Sequence, residues 1–320
     1  MANKNKRPFR FGVSPGTATS RNNWVEQARK AEDLGYSTFL IPDHYVNDLA
    51  TVPALAIAAE ATRTLRVGSY VFDNDFRHPA MVAKEAATLD LLSDGRFELG
   101  IGAGWLGVEY EQIGMPFDPP GVRVSRLEEA VTIIKGLFGE EPVTFSGKYY
   151  TVNGLLGSPR PVQQPHPPIF MAGGGKRVLS LAAREADIVG LHIKTYADGS
   201  GGDMTSTSAD ASLEKLGWVR EAAGDRFDQL ELNVLISRLA ITDNPRQTAE
   251  ELEARAASDP IRKGITAELL LESPNALIGT VDSIVETLQM RRERYNISYV
   301  VVTDEHIDSF APVVARLSGQ

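Results

Sequence analysis

The chain has 320 residues, of which 42% are hydrophobic, with a formal net charge of −9 and no cysteine. This length is enough to bury a large core, either as one α/β barrel or as two smaller domains. The acidic balance without any basic cluster argues against nucleic-acid binding, and the lack of cysteine excludes disulfides, a thiol nucleophile and thiolate metal ligands.

Short runs of β-branched and aromatic residues alternate with helical patterns in the first half of the chain. The predicted strands cover residues 9–13, 38–41, 65–71 and 97–101. The predicted helices cover residues 22–34, 52–62, 79–92 and 124–138. An excursion follows, in which residues 143–152 predict a hairpin around Ser146-Gly147 and the proline-rich residues 158–168 lead to a strand at 169–171.

The second half continues the alternation. Further strands are predicted at residues 188–191, 230–237 and 299–303, and helices at 211–223, 248–257 and 281–295. Repeated β-then-α units imply parallel strands with right-handed crossovers, and about eight such units close as a barrel. The predicted fold is therefore α/β, a (β/α)8 TIM barrel forming a single domain over residues 1–320, with the hairpin and proline-rich excursion inserted between strands 4 and 5. An open doubly wound sheet is the alternative.

Three consecutive glycines separate the strand at 169–171 from a helical pattern. Gly173, Gly174 and Gly175 would let backbone N–H groups approach an anion, and the start of the helix adds the positive end of its dipole. Lys176 and Arg177 add formal charge at the same point. The pattern predicts a phosphate site, and a plain turn between strand and helix is an equally supported alternative.

Polar residues follow the second and third predicted strands. Asp43 and His44 come together after the second, where an imidazole can move protons near neutral pH. For an isolated dipeptide, however, helix capping is the more common role. Asp73, Asn74 and Asp75 follow the third strand, either facing the barrel mouth or forming a solvated turn.

The fourth strand runs into a glycine-rich segment that ends in two glutamates. Gly102 and Gly104 permit close approach of a flat ring, and Glu109 is a better inward-facing candidate than Glu111. The pair of glycines matches half of a dinucleotide fingerprint. Because the third glycine comes too early and no ribose-binding acid follows, a Rossmann site is not predicted, and a tight turn is the simpler interpretation.

Together these motifs resemble the bacterial luciferase-like flavin and deazaflavin oxidoreductases over nearly the whole chain. The matching segments, in chain order, are residues 11–13, 31–36, 43–44, 77–79, 94–96, 100–110 and 172–187. Each segment is weak alone, and their order and spacing make the resemblance specific. It implies a barrel that binds an isoalloxazine-like ring in its mouth and the coenzyme phosphate at residues 173–177.

The resemblance also implies roles for individual residues. In the branch that uses the deazaflavin coenzyme F420, residues matching His44 and Glu109 handle protons, and Asp43 would orient the site. A non-proline cis peptide, common in the family after strand three, would fall near Tyr70-Val71 and back the ring. The implied coenzyme-binding residues are Asp43, Tyr70, Val71, Asn74, Gly104, Ala172, Gly173, Gly174, Gly175, Lys176 and Arg177.

The function implied is hydride transfer between coenzyme F420 and a small organic substrate, with His44 or Glu109 moving the accompanying proton. An FMN-dependent monooxygenase that uses reduced flavin and oxygen is the first alternative, because Lys176 and Arg177 suit either coenzyme phosphate. A non-redox barrel that binds a phosphate ligand is the second. Where sugar-phosphate dehydrogenases of the family have a tryptophan, this chain continues with Tyr45, which argues against glucose 6-phosphate as substrate.

Further expectations concern location and partners. The basic start of the chain is not followed by an apolar segment, and no later apolar run approaches membrane-spanning length, so a cytoplasmic enzyme without a membrane or nucleic-acid partner is expected. No metal site is expected. The resemblance implies a homodimer and a separate reductase that supplies reduced cofactor. Residues 194–208, rich in Gly, Ser and Thr, are interpreted either as a lid over the substrate or as ordinary disorder.

Overall fold

Parallel strands form a closed barrel in a computed structural model that describes residues 7–46, 49–256 and 264–320. The strands, in chain order, are β1 (Arg10–Ser14), β2 (Thr38–Ile41), β3 (Arg66–Ser69), β4 (Phe72–Asp73), β5 (Phe97–Gly102), β6 (Val143–Ser146), β7 (Thr151–Leu155), β8 (Ile169–Gly173), β9 (Ile188–Leu191), β10 (Lys194–Thr195), β11 (Gly202–Asp203), β12 (Glu231–Ile236), β13 (Arg238–Ile241), β14 (Ala276–Gly279) and β15 (Ile297–Thr303). Hydrogen bonding follows the order β3-β2-β1-β15-β12-β9-β8-β5, and β3 pairs again with β5. The predicted eight-stranded barrel is confirmed.

Helices follow the strands and pack around the barrel. They are α1 (Arg21–Asp33), α2 (Thr51–Ala61), α3 (Pro79–Leu92), α4 (Gly107–Gln112), α5 (Pro120–Phe138), α6 (Lys176–Glu185), α7 (Ala209–Ala223), α8 (Pro245–Ala256), α9 (Ala267–Glu272), α10 (Val281–Tyr295) and α11 (Ile307–Leu317). Side-chain caps set several starts: Ser20 accepts from the Asn23 N–H and Thr280 from the Ser283 N–H. The helix predicted to end at residue 257 is described as far as Ala256, and residue 257 lies outside the described residues. None of the described helices is both long and apolar enough to cross a membrane.

The predicted excursion lies between the fourth and fifth barrel strands, β5 and β8. It contains α4, α5, the β6–β7 hairpin and the proline-rich segment. The hairpin is fastened to α5 by Glu129, whose carboxylate accepts from the backbone N–H groups of Lys148, Tyr149 and Tyr150 at 2.7, 2.9 and 3.1 Å. These three bonds hold the hairpin against α5.

The third barrel strand is shorter than predicted. β3 ends at Ser69, whose hydroxyl donates to the Gly100 carbonyl at 2.7 Å and accepts from the Gly100 N–H at 3.0 Å. A side chain therefore takes over hydrogen bonds that a longer strand would make through its backbone. The Tyr70–Val71 peptide bond is cis, at the predicted position, and β4 then pairs separately with the end of β5.

A second excursion, not predicted from the sequence, separates the last two barrel strands. β13 and β14 form a parallel two-stranded sheet, and α8 and α9 pack beside it around a small apolar cluster that includes Ala249, Ile265 and Leu270. The two strands have four residues each. Each has only one β-branched residue and no aromatic residue, so neither shows the strand pattern that made the equally short β2 and β9 predictable.

The two ends of the barrel differ in chemistry. At the strand starts, Arg10 donates to Glu98 and Glu231, and Arg66 also donates to Glu98, which is buried. The lumen above is filled by apolar side chains from the strands, including Leu40, Phe170, Ile188, Tyr299 and Val301. The lower end is thus closed by ion pairs, and the open mouth lies at the carboxyl ends of the strands, where the sites of such barrels are built.

Candidate active site

His44 and Glu109 form a hydrogen-bonded pair at the barrel mouth. His44 follows β2 with 28% of its side chain exposed, and its Nδ1 lies 2.8 Å from Oε2 of Glu109, which projects from α4 and is 2% exposed. The other oxygen of Glu109 accepts from the backbone N–H groups of Tyr45 and Val46 at 2.8 and 3.3 Å. Because an ionised carboxylate can only accept, Nδ1 of His44 carries a hydrogen, and in the neutral form of the ring Nε2 keeps its lone pair.

Asp43 is bound to the protein on all sides. It forms an ion pair with Arg77 and accepts from the Thr51 hydroxyl at 2.9 Å and from the Asp73 N–H at 3.1 Å. These bonds tie the end of β2 to β4, beside His44. The contacts support an orienting role for Asp43 and leave it poorly placed to act on a ligand directly.

Aromatic side chains line the outer side of His44. Trp105, in the loop between β5 and α4, meets the imidazole edge-on at 6.0 Å between ring centroids and is 38% exposed. Tyr45 packs edge-on against Phe76 at 4.9 Å. A tryptophan therefore lies beside His44. It comes from the loop after β5 and not from the segment after His44, where the sugar-phosphate dehydrogenases of the family have theirs.

A buried hydrogen bond anchors α4, the short helix that carries Glu109. The hydroxyl of Tyr110 donates to Asp73 at 2.7 Å, and the Tyr110 side chain is fully buried. Burial raises the pKa of Asp73 to about 7, while the Tyr110 hydroxyl opposes that rise. The position of Glu109 thus depends on its neighbour along the chain.

The glycine triplet spans the end of β8 and the start of α6, as predicted. Gly175 precedes the first helical residue, no side chain caps that end of the helix, and the space where its side chain would lie is open. Gly174 differs, because a Cβ there would meet the backbone of Ile193 and Lys194 at 2.3 to 2.4 Å. Gly174 is thus required by the close approach of a neighbouring loop, and Gly175 faces free space.

The two basic residues after the triplet point in different directions. Arg177 donates to the Gly121 carbonyl and the Ser125 hydroxyl, both at 2.6 Å, in the first turns of α5. Lys176 instead pairs with Glu221 on α7 at 3.2 Å, with both side chains largely exposed. Arg177 is therefore near two helix starts that lack side-chain caps, those of α5 and α6, whereas Lys176 is engaged away from them.

Two predicted coenzyme-binding residues are enclosed by protein. Asn74 is fully buried and donates to the Tyr150 hydroxyl at 3.2 Å, and its Oδ1 has no partner among the described residues. Gly104 has φ of +73°, and a Cβ there would lie 2.0 Å from the Tyr110 hydroxyl oxygen. Close packing against α4 and β4 explains the glycine at 104, whereas Asn74 joins β4 to the β6–β7 hairpin and leaves one buried oxygen unpaired.

The floor of the mouth contains a polar chain that the sequence did not reveal. The Tyr70 hydroxyl lies 3.0 Å from Nε2 of His192 and 3.0 Å from Oδ1 of Asn233, and its ring stacks on Phe170 at 5.2 Å. Tyr70, Val71 and Ala172 of the predicted set belong to this apolar lumen layer. Of these three residues only Tyr70 was a candidate, because His192 is an isolated polar residue after a strand and Asn233 is an isolated polar residue within one.

Residues 194–208 contain a two-stranded hairpin beside the mouth, followed by a short 3₁₀ helix. β10 and β11 pair antiparallel, and the Gly199 carbonyl accepts from the Gly107 N–H at the start of α4 at 3.3 Å. At the base of the hairpin, the buried Lys215 donates to the carbonyls of His192 and Ser206 at 2.5 and 2.7 Å. Burial lowers the pKa of Lys215 to about 8.

Comparison with known proteins places these features in a family. The model of the family described as luciferase-like monooxygenase matches residues 7–263. An F420-dependent glucose-6-phosphate dehydrogenase of Kineococcus radiotolerans is 34% identical over 260 residues, covering 78% of this chain and 73% of that protein. An FMNH(2)-dependent dimethylsulfone monooxygenase of Pseudomonas putida is 32% identical over 40% of this chain and 35% of that protein.

The barrel also matches solved structures along almost its whole length. The coenzyme F420-dependent tetrahydromethanopterin reductase of Methanopyrus kandleri superposes with a TM-score of 0.76, covering 97% of this chain and all of that one at 19% identity. At that identity the likeness concerns the fold, and the sequence match carries the family assignment. The chain belongs to the luciferase-like monooxygenase family.

Proposed function

We propose that this protein is a coenzyme F420-dependent oxidoreductase that transfers a hydride between the deazaflavin and a small organic substrate. The observation that carries the proposal is the His44–Glu109 pair at 2.8 Å in the mouth of the barrel. Hydride transfer to or from a carbonyl or alcohol needs a partner that moves one proton, and this pair is built for that task. The F420-dependent dehydrogenase that is 34% identical to the chain supports the choice of coenzyme.

The coenzyme supplies the hydride-carrying ring, and the protein supplies position and proton handling. Nε2 of His44 would take a proton from the substrate, or give one in the reverse direction. Glu109 would stabilise the imidazolium that forms, because its carboxylate already accepts the hydrogen on Nδ1. Asp43 would hold the end of β2 in place through Arg77.

The residues present fit a phosphate-bearing coenzyme. The start of α6 offers backbone N–H groups without a side-chain cap, Gly175 leaves the approach open, and Arg177 adds charge between α5 and α6. Gly173, Gly175 and Arg177 would hold the coenzyme phosphate, and Tyr70, Val71 and Ala172 would contact its ring. Lys176, Gly174, Asn74 and Gly104 would contribute indirectly through packing or surface charge.

The first experiment is a parallel titration of the purified protein with coenzyme F420 and with FMN, followed by fluorescence quenching. We expect tight binding of F420 and much weaker binding of FMN. The reverse order would overturn the choice of coenzyme and favour the FMN-dependent monooxygenase, for which the Pseudomonas putida relative is the supporting comparison. Binding of neither coenzyme would favour a non-redox barrel.

The phosphate assignment is tested by Gly175→Asp. The new carboxylate would stand in open space at the helix start and repel the phosphate, so we expect coenzyme affinity to fall at least 100-fold, roughly 3 kcal/mol. Gly175→Asn is the matched control, since it has the same shape without the charge. Gly174→Asp is unsuitable because it would displace the backbone of residues 193–194 whatever the ligand. Equal losses in the Asp and Asn variants would contradict an electrostatic phosphate site.

The proposal includes the setting in which the enzyme works. We propose a single-domain, cytoplasmic homodimer that receives reduced coenzyme from a separate reductase. Exposed apolar side chains on the outer helices support the dimer: Ile57 on α2 and Met81, Leu91 and Leu92 on α3 are 40 to 69% exposed. Light scattering of the wild type and of Leu92→Glu tests this, with a monomeric wild type as the contradicting result.

A further inference from the structure

The polar chain on the floor of the mouth has no part in the proton transfer proposed for His44. It consists of the Tyr70 hydroxyl, the His192 imidazole and the Asn233 amide, joined by contacts of 3.0 Å each. Asn233 is fully buried, and its Nδ2 has no partner among the described residues. His192 is different, because it follows β9 at the mouth and remains partly exposed.

The hydrogen bond from Tyr70 to Asn233 indicates which nitrogen of His192 carries the hydrogen. Tyr70 donates its one hydroxyl hydrogen to Oδ1 of Asn233. Its oxygen is then free to accept, so Nε2 of His192 is the donor in the 3.0 Å contact. In a neutral imidazole the other nitrogen, Nδ1, is left with a lone pair that no described residue uses.

The surroundings of His192 keep it uncharged. Burial, together with the positive charge of Lys215, lowers the pKa of His192 to about 4. Lys215 itself is turned towards the carbonyls of His192 and Ser206 and not towards the mouth. A ligand at this position therefore meets a neutral hydrogen-bond acceptor without a neighbouring ammonium group aimed at it.

His192 lies across the mouth from His44. In the ring order β3-β2-β1-β15-β12-β9-β8-β5, the strands β2 and β9 are four places apart in a closed ring of eight. His44 follows β2 and His192 follows β9, so a molecule in the mouth lies between a proton-transferring imidazole and a neutral one. The Gly173 carbonyl accepts from the backbone N–H of His192 at 2.9 Å, which fixes His192 beside the glycine turn.

We infer that Nδ1 of His192 accepts a hydrogen bond from an uncharged hydroxyl group of the substrate and so selects neutral hydroxyl compounds. The inference rests on the proposed function in taking the barrel mouth as the reaction site. A phosphate or carboxylate offers no hydrogen at neutral pH and would meet a second lone pair, whereas a hydroxyl satisfies it. His192 is then a specificity-determining residue.

The protonation pattern is tested first, on the coenzyme-free protein, by NMR of ¹⁵N-histidine-labelled protein. The His192 signals are identified by their loss in His192→Gln. We expect a neutral ring with hydrogen on Nε2 at pH 7. Hydrogen on Nδ1, or a charged ring, would overturn the inference whether or not any coenzyme binds.

The hydroxyl preference is tested on the F420-loaded protein with 1,4-cyclohexanediol and with 4-methoxycyclohexanol, which keeps one hydroxyl for His44 and replaces the second O–H group by a methoxy group. We expect the diol alone to shift the Nδ1 resonance. In His192→Gln, which keeps a polar partner for Tyr70 and removes Nδ1, the affinity for the diol should fall about tenfold while coenzyme affinity stays within twofold. His166→Gln, the same substitution in the proline-rich segment, should change neither.

The outcomes separate the two proposals. A wild type that binds no F420 contradicts the proposed function, and the NMR experiment still decides the protonation of His192. If F420 binds and the two probes shift Nδ1 equally, or neither does, the hydroxyl preference is wrong. If His192→Gln mainly weakens F420 binding, His192 contacts the coenzyme, and the inference about the substrate is overturned.

Discussion

One carboxylate organises the proton-handling part of the site. Glu109 accepts the hydrogen of His44 and two backbone N–H groups of the following residues, so it positions the imidazole and the loop that carries it. Replacing a buried carboxylate with this many donors destabilises the fold, because each donor loses a charged acceptor. Glu109 therefore acts on the site through both its shape and its charge. A substitution that preserves the shape is needed to measure the effect of the charge alone.

Glu109→Gln keeps the shape and removes the charge. We predict that kcat for hydride transfer falls by at least 100-fold, since the imidazolium would lose its stabilising carboxylate, while coenzyme affinity stays within about threefold. The measurement is steady-state kinetics with F420 beside a coenzyme titration. Glu111→Gln, at an exposed residue of the same helix, is the control and should leave both unchanged. Unaltered kcat in Glu109→Gln would remove Glu109 from the reaction.

The neutral state of His192 has a consequence for acid stability. Its pKa is lowered from an ordinary 6.5 to about 4, so between these values the unfolded chain binds a proton that the folded protein does not. The free energy of unfolding must then fall as the pH falls through that window. We predict that acidification from pH 6.5 to 4 lowers the free energy of unfolding of the wild type by up to about 3 kcal/mol more than that of His192→Gln. The measurement is urea denaturation at each pH. Parallel pH profiles would contradict the lowered pKa.

Residues that stand together in a local motif could be predicted from the sequence, and residues joined only by the fold could not. Asp43 and His44 are adjacent and follow a recognisable strand, and Glu109 lies in a glycine-rich segment that matches the family. Tyr70, by contrast, is separated from His192 by 122 residues and from Asn233 by 163. No local pattern connects positions this far apart, so their hydrogen bonds become visible only in the closed barrel.

At the scale of elements, a short helix depends on one buried hydroxyl. α4 has six residues, begins without a side-chain cap, and is held by Tyr110 through Asp73. A helix this short is marginal by itself, so tertiary contacts must fix its position. Glu109 is the residue before Tyr110, and any movement of the helix changes its contact with His44.

Tyr110→Phe tests this dependence. We predict a loss of about 1–3 kcal/mol in the free energy of unfolding, because the buried Asp73 loses a donor, and a fall of about tenfold in kcat, because Glu109 shifts. Denaturation and kinetics are measured on the same preparation. Tyr196→Phe, at an exposed tyrosine of the β10–β11 hairpin, is the matched control. A stability loss with normal kcat would mean that α4 keeps its place without this bond.

Elements with a clear local pattern were predictable, among them the four-residue strands β2 and β9, and interrupted or weakly patterned ones were not. The helix at 281–295 was predicted with the bounds that α10 shows, since Thr280 caps its start and an apolar stripe runs its length. The third strand was predicted too long, because the Ser69 hydroxyl replaces part of the backbone ladder. The β13–β14 sheet was missed, because its strands depend on each other across an interval of 34 residues, from Ile241 to Ala276, in which part of the chain lies outside the described residues.

For the whole molecule, the barrel separates stability from function along its axis. The lower end holds Glu98, buried between Arg10 and Arg66 at 2.5 and 2.7 Å, with the Arg10 guanidinium 4.0 Å from the centre of the Tyr299 ring. The mouth holds His44, Glu109 and the glycine turn, at the other ends of the strands. In barrels of this kind, polar residues at the strand starts serve stability, and those at the strand ends serve function.

This separation predicts that the two ends can be perturbed independently. Glu98→Gln would leave two guanidinium groups with a neutral partner inside the barrel, and removing one member of a buried ion pair costs about 3–5 kcal/mol. We expect the free energy of unfolding, measured by urea denaturation, to fall by that amount. The affinity for F420 and kcat at 25 °C should stay within twofold of the wild type. Glu140→Gln, which breaks the exposed pair with Arg160, is the control and should change stability by less than about 1 kcal/mol. If Glu98→Gln lowered kcat well beyond twofold, the lumen layer between the two ends would have to transmit the change. The site would then depend on the lower end of the barrel.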